Sequence, residues 1–127
     1  MKKTLLIAIF MLSNFTYSQF KKTDDKEIIY NNLRIKKDSI TQDCKCQSKI
    51  TYGFNNISGD ILLELKDIFY HFKRTSKFKT GVTSYNYSYK FADYISENGN
   101  KIVIQIFDNN SQGIRFIISD RNDIWVY

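Results

Sequence analysis

The feature that most constrains the fold is a strict alternation of apolar and polar residues in the last third of the chain. Tyr85, Tyr87, Tyr89 and Phe91 alternate with Asn86, Ser88 and Lys90, and three further apolar runs follow at 101–107, 114–119 and 124–127. A period of two is typical of β-strands that bury one face. Because the connections between the runs are short, neighbouring strands must be antiparallel. The pattern predicts a four-strand meander.

The first turn of this meander contains Asn98-Gly99, a pair that suits a two-residue type I′ hairpin with two positive φ values. Such a turn pairs Ile95 with Ile102 and Phe91 with Ile106. With four residues in each later turn, Gln105 faces Phe116 and Ile118 faces Trp125. One predicted face carries Tyr87, Tyr89, Phe91, Ile95, Ile102, Ile104, Ile106, Ile117 and Val126. The opposite face carries Tyr94, Val103, Phe107, Ile114, Phe116, Ile118, Trp125 and Tyr127, with Lys90 and Gln105 among them.

Residues 60–72 have a spacing that favours a helix instead. Ile61, Leu65, Ile68, Phe69 and Phe72 fall on one side at one hundred degrees per residue, and a strand at 50–54 precedes them. Together these elements predict an α+β fold, in which one amphipathic helix packs on an antiparallel β-meander of four to five strands.

The order of strand, helix and meander is similar to the cystatin arrangement at the level of architecture. The segment after the predicted helix lacks the Gln-x-Val-x-Gly of the first cystatin hairpin. The chain also contains no proline, so the Pro-Trp of the second hairpin is missing. Many unrelated secreted domains share such layouts, and the resemblance therefore implies a layout without a function.

The start of the chain resembles a secretory signal peptide, with Lys2 and Lys3 followed by the apolar run 5–12 and a polar stretch that ends at Ser18. We expect residues 1–18 to be cleaved and the product to be secreted or periplasmic. Residues 19–48 are predicted to form a mobile arm and a loop that carries the cysteines, and residues 49–127 to form the domain. A hydrophobic content of 43% and an aromatic content of 16% predict a packed core.

Cys44 and Cys46 are the two cysteines of the chain. Export favours a disulfide between them, although Cys-x-Cys on an extended strand lies at the long end of disulfide geometry. A redox or soft-metal pair, an unpaired thiol pair and an intermolecular bond are the alternatives. We expect no metal, because a closed zinc site needs four ligands and the chain has one histidine.

A basic segment offers a candidate site for an anionic ligand. No acidic residue occurs between Ile68 and Ala92. Ion pairing and ring stacking would bind an anionic polymer there, while a solvated loop is the simpler interpretation. The candidate residues are Lys73, Arg74, Lys77, Lys79 and Lys90. The net charge of +6 fits weak attraction to anions, and nucleic acid is not expected as a partner of an exported protein.

A second candidate site lies on the meander face that one helix leaves uncovered. Either the segment 27–54 covers this face, or an open apolar patch remains, which usually marks a binding surface or an oligomer contact. Phe116, Trp125 and Tyr127 are the predicted partner contacts, because aromatic residues dominate binding hot spots.

We predict a binding or inhibitory protein with no cofactor and no enzymatic activity. His71 is expected on the solvent side of the predicted helix, and no nucleophile converges on it by spacing. Oxygen-rich turns such as 108–113 suit turn chemistry better than calcium. The alternative is a small exported hydrolase that uses the turn carboxylates Asp93, Asp108, Asp120 and Asp123.

Overall fold

The computed structural model describes residues 26–53 and 59–127, which contain eleven β-strands and one short 3-10 helix at Asn110–Gln112. The strands are β1 Lys26–Tyr30, β2 Leu33–Lys37, β3 Ile40–Cys44, β4 Ser48–Tyr52, β5 Ile61–Leu65, β6 Ile68–Arg74, β7 Lys79–Val82, β8 Ser88–Ser96, β9 Lys101–Phe107, β10 Ile114–Ser119 and β11 Asn122–Val126. The predicted signal peptide lies outside the described residues. Within those residues, no helix has the length and apolar character to cross a membrane.

All eleven strands belong to one antiparallel sheet that curls into a half-barrel. The strand order is β1-β4-β5-β6-β8-β9-β10-β11-β2-β3. Strand β7 pairs with the first half of β8, and β6 pairs with the second half of β8 along the same edge. The predicted α+β fold is therefore wrong. The described part of the chain has no α-helix, and the curl of the sheet covers the inner face that a helix was expected to cover.

The segment predicted as a helix is a β-hairpin. Strands β5 and β6 pair with Leu65 opposite Ile68, and Lys66-Asp67 forms the turn, with Lys66 at a φ of 55°. A period of two explains the pairing, because Ile61 and Leu63 on β5 and Phe72 on β6 are buried on the inner face. The run is also rich in isoleucine and aromatic residues, which favour strands. A short apolar run fits both periods, and tertiary packing decides between them.

The turn between β8 and β9 is one residue longer than predicted. The backbone N–H of Ser96 donates to the Asn100 carbonyl at 2.9 Å, so three residues form the loop, and Gly99 is its positive-φ residue at 84°. This is the loop in which a type I turn is followed by a left-handed residue. Phe91 consequently pairs with Gln105 instead of Ile106, and the register moves by one residue.

The next two registers also differ from the prediction, because Arg115 pairs with both Gln105 and Trp125, where Phe116 and Ile118 were expected. Together these shifts change which residues share a face. The inner face unites residues that the prediction had separated, since Tyr94 and Phe116 lie beside Ile102 and Ile104 in one core cluster. Phe91 lies on the outer face. Both predicted face assignments are therefore wrong in composition, although the antiparallel strands themselves are present.

A long bent ribbon connects the two ends of the sheet. Strand β1 runs into β2 through Asn31-Asn32, and β3 runs into β4 through residues 45–47. Because β1-β4 and β2-β3 stand at opposite ends of the strand order, these short links hold the two ends together and require the sheet to curl. Asn32 and Tyr127 exchange backbone hydrogen bonds of 2.9 and 3.0 Å at the bend. The region predicted as a mobile arm and loop thus supplies β1, β2 and β3.

Candidate functional site

A row of five aromatic rings crosses the outer face of the sheet. We call Phe91, Tyr89, Phe107, Trp125 and Tyr127 the ring row. Successive ring centroids are 5.9, 5.7, 5.7 and 5.8 Å apart. These separations lie in the range of favourable aromatic pairs, so each ring supports the next.

The ring row forms where the sheet leaves room for it. Gly113 follows the 3-10 helix with a φ of 73°, and a Cβ atom there would collide with the backbone of Val126. The backbone N–H of Phe107 donates to the Gly113 carbonyl at 3.2 Å, and the Phe107 ring stacks on that of Trp125 from β11 at an interplanar angle of 16°. Gly81 acts similarly on β7, where a Cβ would lie 2.5 Å from the Tyr89 ring.

Hydrogen bonds and charges fix one end of the row. The Trp125 indole Nε1–H donates to the Gln112 carbonyl at 2.6 Å, and the Arg34 guanidinium carbon lies 5.8 Å from the centroid of the Tyr127 ring. Arg34 is paired through Nε with an oxygen of Asp43 at 2.7 Å. A groove of about 250 Å³ opens beside these residues, between Arg34, Ser111, Gln112, Trp125 and Tyr127.

Polar residues extend this surface across seven strands. The register aligns Lys79, Phe91, Gln105, Arg115, Trp125, Arg34 and Asp43 from β7 to β3. Six strand spacings of ~4.8 Å give a strip roughly 29 Å long. The Arg115 guanidinium binds Asp123 at 2.6 Å, while the Gln105 Oε1 has no hydrogen-bond partner in the described part of the chain.

The rings are covered unequally. Phe107 is 6% exposed, although it lies outside the core cluster, because its neighbours in the row cover it. The other four rings are partly exposed. The result is a continuous aromatic surface with one buried ring at its centre.

The predicted partner contacts separate into two groups. Trp125 and Tyr127 belong to the ring row on the outer face. Phe116 is 2% exposed in the core, where its ring centroid is 5.2 Å from that of Phe72. Phe116 is therefore unable to contact a partner directly.

Two of the predicted anion-binding residues converge on one ring. The Arg74 guanidinium carbon and the Lys90 ammonium nitrogen lie 4.6 and 4.7 Å from the centroid of the Phe78 ring. Lys79 is instead opposite Phe91 on the outer face, and Lys73 and Lys77 are exposed. The structure thus divides the five residues between both faces of the sheet.

The predicted hydrolytic carboxylates are distributed over several places. Asp93 and Asp120 line one cleft of about 480 Å³, whereas Asp108 lines a different cavity. Asp123 is 6% exposed and paired with Arg115. Three strand spacings of ~4.8 Å separate Asp93 from Asp123 along the register, roughly 14 Å, which exceeds the ~5–9.5 Å of paired glycosidase carboxylates.

Asp60 is a partner of His71 that the helix prediction missed. Its carboxylate is 1% exposed, with Oδ2 3.1 Å from His71 Nε2 and Oδ1 accepting the Arg74 backbone N–H at 3.2 Å. Spacing gave no indication of this contact, because the hairpin brings the two residues together. Among the described residues, no group of three histidine, cysteine or acidic side chains is placed to hold a metal.

Cys44 and Cys46 are joined by a disulfide, with their Cα atoms 5.2 Å apart. The bond lies at the bend of the ribbon, where β3 ends. Cys44 is exposed, and Cys46 packs partly against the core. Oxidation of this pair in the exported protein stays a prediction.

Comparison of the chain with protein families, curated proteins and solved structures found no match.

Proposed function

We propose that this chain is an exported binding protein that contacts a partner protein through the ring row. The observation that carries the proposal is the unbroken contact of five rings on the side of the sheet that faces away from the core. Aromatic surface left in water is costly, and contiguous patches of this kind usually mark an interaction site.

The composition of the surface favours a protein over an anionic polymer. Tryptophan, tyrosine and arginine dominate protein hot spots, and Trp125, Tyr127 and Arg34 lie together at the groove. The two arginines of the strip are already paired, Arg34 with Asp43 and Arg115 with Asp123, so their charges are largely neutralised. A polyanion would find little net positive charge there.

The positions of the four carboxylates also favour binding over hydrolysis. A hydrolase needs two carboxyl groups near one bond. Asp123 is three strand spacings from Asp93 and Asp108 lines another cavity, which leaves Asp93 and Asp120 as the candidate pair that shares a cleft. The pairing of Asp123 with Arg115 further commits one of the four candidates to a structural contact.

The test compares three immobilised proteins: the wild type, the double variant Trp125→Ala/Tyr127→Ala and the control Tyr85→Ala. Tyr85 is 80% exposed and lies outside the ring row. Each protein is incubated with extract from the source organism and its environment, and bound proteins are identified by mass spectrometry and verified as purified partners. A purified partner that binds the wild type and the control, and loses at least about 100-fold affinity with the double variant, supports the proposal.

Two results would contradict it. Equal affinity of a verified partner for all three proteins would place the interface elsewhere. Tight binding of a sulfated polysaccharide such as heparin, lost in the double variant and weakened by salt, would assign the row to an anionic polymer instead.

A further inference from the structure

One cavity of the half-barrel opens at the end where β4 and β9 finish and β1 begins. It measures about 790 Å³, within the range of small-molecule sites. Its apolar wall comes from the inner face of the sheet, with Ile28, Tyr52, Phe78 and Ile106. These four side chains also pack in or against the core cluster, so the wall is continuous with the core.

Cations stand at the edge of this apolar wall. Lys26 and Lys90 line the cavity, and Asp108 is the carboxylate that lines it among the described residues. Lys90 pairs with Ile106 in the sheet and is exposed, so its chain follows the inner face and its ammonium group reaches the opening.

Two positively charged groups lie beside the Phe78 ring. The Lys90 ammonium and the Arg74 guanidinium both lie within 4.7 Å of its ring centroid. The ring attracts each cation, while two like charges beside one ring repel one another. A bound anion beside them would relieve that repulsion and would accept charge-assisted hydrogen bonds from Lys90.

We propose that this cavity binds an amphiphilic anion, a molecule with one acidic head group and an unbranched alkyl chain. The alkyl chain lies along Ile28, Tyr52 and Ile106, and the head group is held by Lys90 and Lys26. A carboxylate and a phosphate share this chemistry, and the experiment distinguishes them. The site is on the inner side of the sheet, and Phe107 is the ring-row residue that also lines it.

The test is a fluorescence titration with dansyl-labelled undecanoate, which carries a carboxylate on an alkyl chain. We expect saturable binding of one molecule per chain at concentrations below micelle formation. Lys90→Gln should weaken binding about tenfold, the loss of one charge-assisted contact. Lys101→Gln is the matched control, since it removes an exposed lysine at the far end of the same strand pair, and it should leave the affinity unchanged.

Competition then identifies the head group. Dodecanoate and dodecyl phosphate should displace the probe, and the tighter of the two names the acid. Dodecanol should compete at least tenfold more weakly. Tyr127→Ala removes a ring-row residue that does not line the cavity, and it should bind the probe like the wild type, which separates this proposal from the function of the ring row.

Methyl NMR of isoleucine-labelled protein gives a readout that depends on no variant. Addition of dodecanoate should move the signals of Ile28 and Ile106 and leave Ile118, which lies in another cleft. Binding that never saturates, displacement by dodecanol as strong as by dodecanoate, or shifts confined to residues outside the cavity would each overturn the proposal.

Discussion

The inner and outer faces of strands β8 to β11 are covered in different ways. The inner face is closed at its centre, with Ile104 and Ile114 fully buried and Phe116 2% exposed, and the cavity opens at its Lys90–Ile106 end. The outer face holds the ring row, in which Phe107 is buried and the other rings stay partly exposed. A curled sheet therefore covers one face by itself and leaves the other to ring contacts. This difference leaves the outer face as the surface on which the proposed binding depends.

Gly113 is the position at which one substitution should most disturb the packing of both faces. Replacement by alanine would force a Cβ into the backbone of Val126 at a φ of 73°. We expect Gly113→Ala to lower the free energy of unfolding by about 4 kcal/mol, from backbone strain and overpacking combined. Urea denaturation measures the effect.

Gly99→Ala is the control for the Gly113 substitution. Gly99 has a φ of 84°, but no atom lies within 4 Å of its Cβ position. It should cost about 1 kcal/mol, the backbone strain alone. Equal losses of stability for the two variants would show that the close approach between Gly113 and the Val126 backbone is absent.

Single truncations on each face test the comparison directly. Ile104→Ala removes a fully buried inner side chain and should cost about 3 kcal/mol. Trp125→Ala removes a larger but partly exposed ring and should cost about 1–2 kcal/mol, while it reduces partner binding. If the tryptophan substitution were the more destabilising one in urea, the outer face would be a second core.

A buried and an exposed carboxylate should differ in the same way in their contribution to stability. Asp60 is 1% exposed and accepts two hydrogen bonds, whereas Asp43 pairs with Arg34 at the surface. Asp60→Ala should cost about 2 kcal/mol, because two donors lose their acceptor, and Asp43→Ala should cost about 0.5 kcal/mol. Thermal and urea unfolding of both variants check this, and a smaller effect at Asp60 would contradict its place in the fold.

Inner tyrosines make stability sensitive to alkaline pH. Burial raises the pKa of Tyr52 and Tyr94, and also that of Tyr30, above the ordinary 10.0. The unfolded phenols lose protons first, so stability is complete below pH 10 and falls as the pH rises above it. Each tyrosine contributes at most about 1.4 kcal/mol per pH unit.

Urea unfolding between pH 8 and 11.5 measures this slope. Tyr94→Phe should make the decline shallower, and it should change stability at pH 8 by less than about 0.5 kcal/mol, because the Tyr94 hydroxyl has no hydrogen-bond partner in the described ranges. An unchanged slope in this variant would show that Tyr94 is not buried as a phenol.

The sequence predicted the antiparallel strands of the meander, because a period of two in 101–107 and 114–119 matches β9 and β10. It failed at 60–72, where the same apolar residues fit a helix and a hairpin, and the turn at Lys66-Asp67 is unmarked by glycine or asparagine. Propensity does not decide such a run, since pairing with β4 and β8 supplies the stabilising contacts.

The candidate site was predictable in part. Trp125 and Tyr127 followed from the abundance of aromatics at the end of the chain, but Phe107, Tyr89 and Phe91 joined them only through the register. Asn-Gly suits a two-residue and a three-residue loop alike, and that single residue decided which side Phe91 faces relative to β9. The side of Phe116 was decided by the next connection, which places Phe116 opposite Ile104 instead of Gln105. The role of Gly113 required knowing that it lies against the backbone of Val126 and Tyr127.

Acrylamide quenching of Trp125 tests the central claim most directly, because this is the one tryptophan of the chain. In a monomer verified by light scattering, we predict quenching intermediate between that of free tryptophan and that of a buried indole. Addition of the purified partner should reduce it, and the control Tyr85→Ala should behave like the wild type. Full shielding of Trp125 in the free monomer, or quenching that the bound partner leaves unchanged, would contradict a ring row that is open and used for binding.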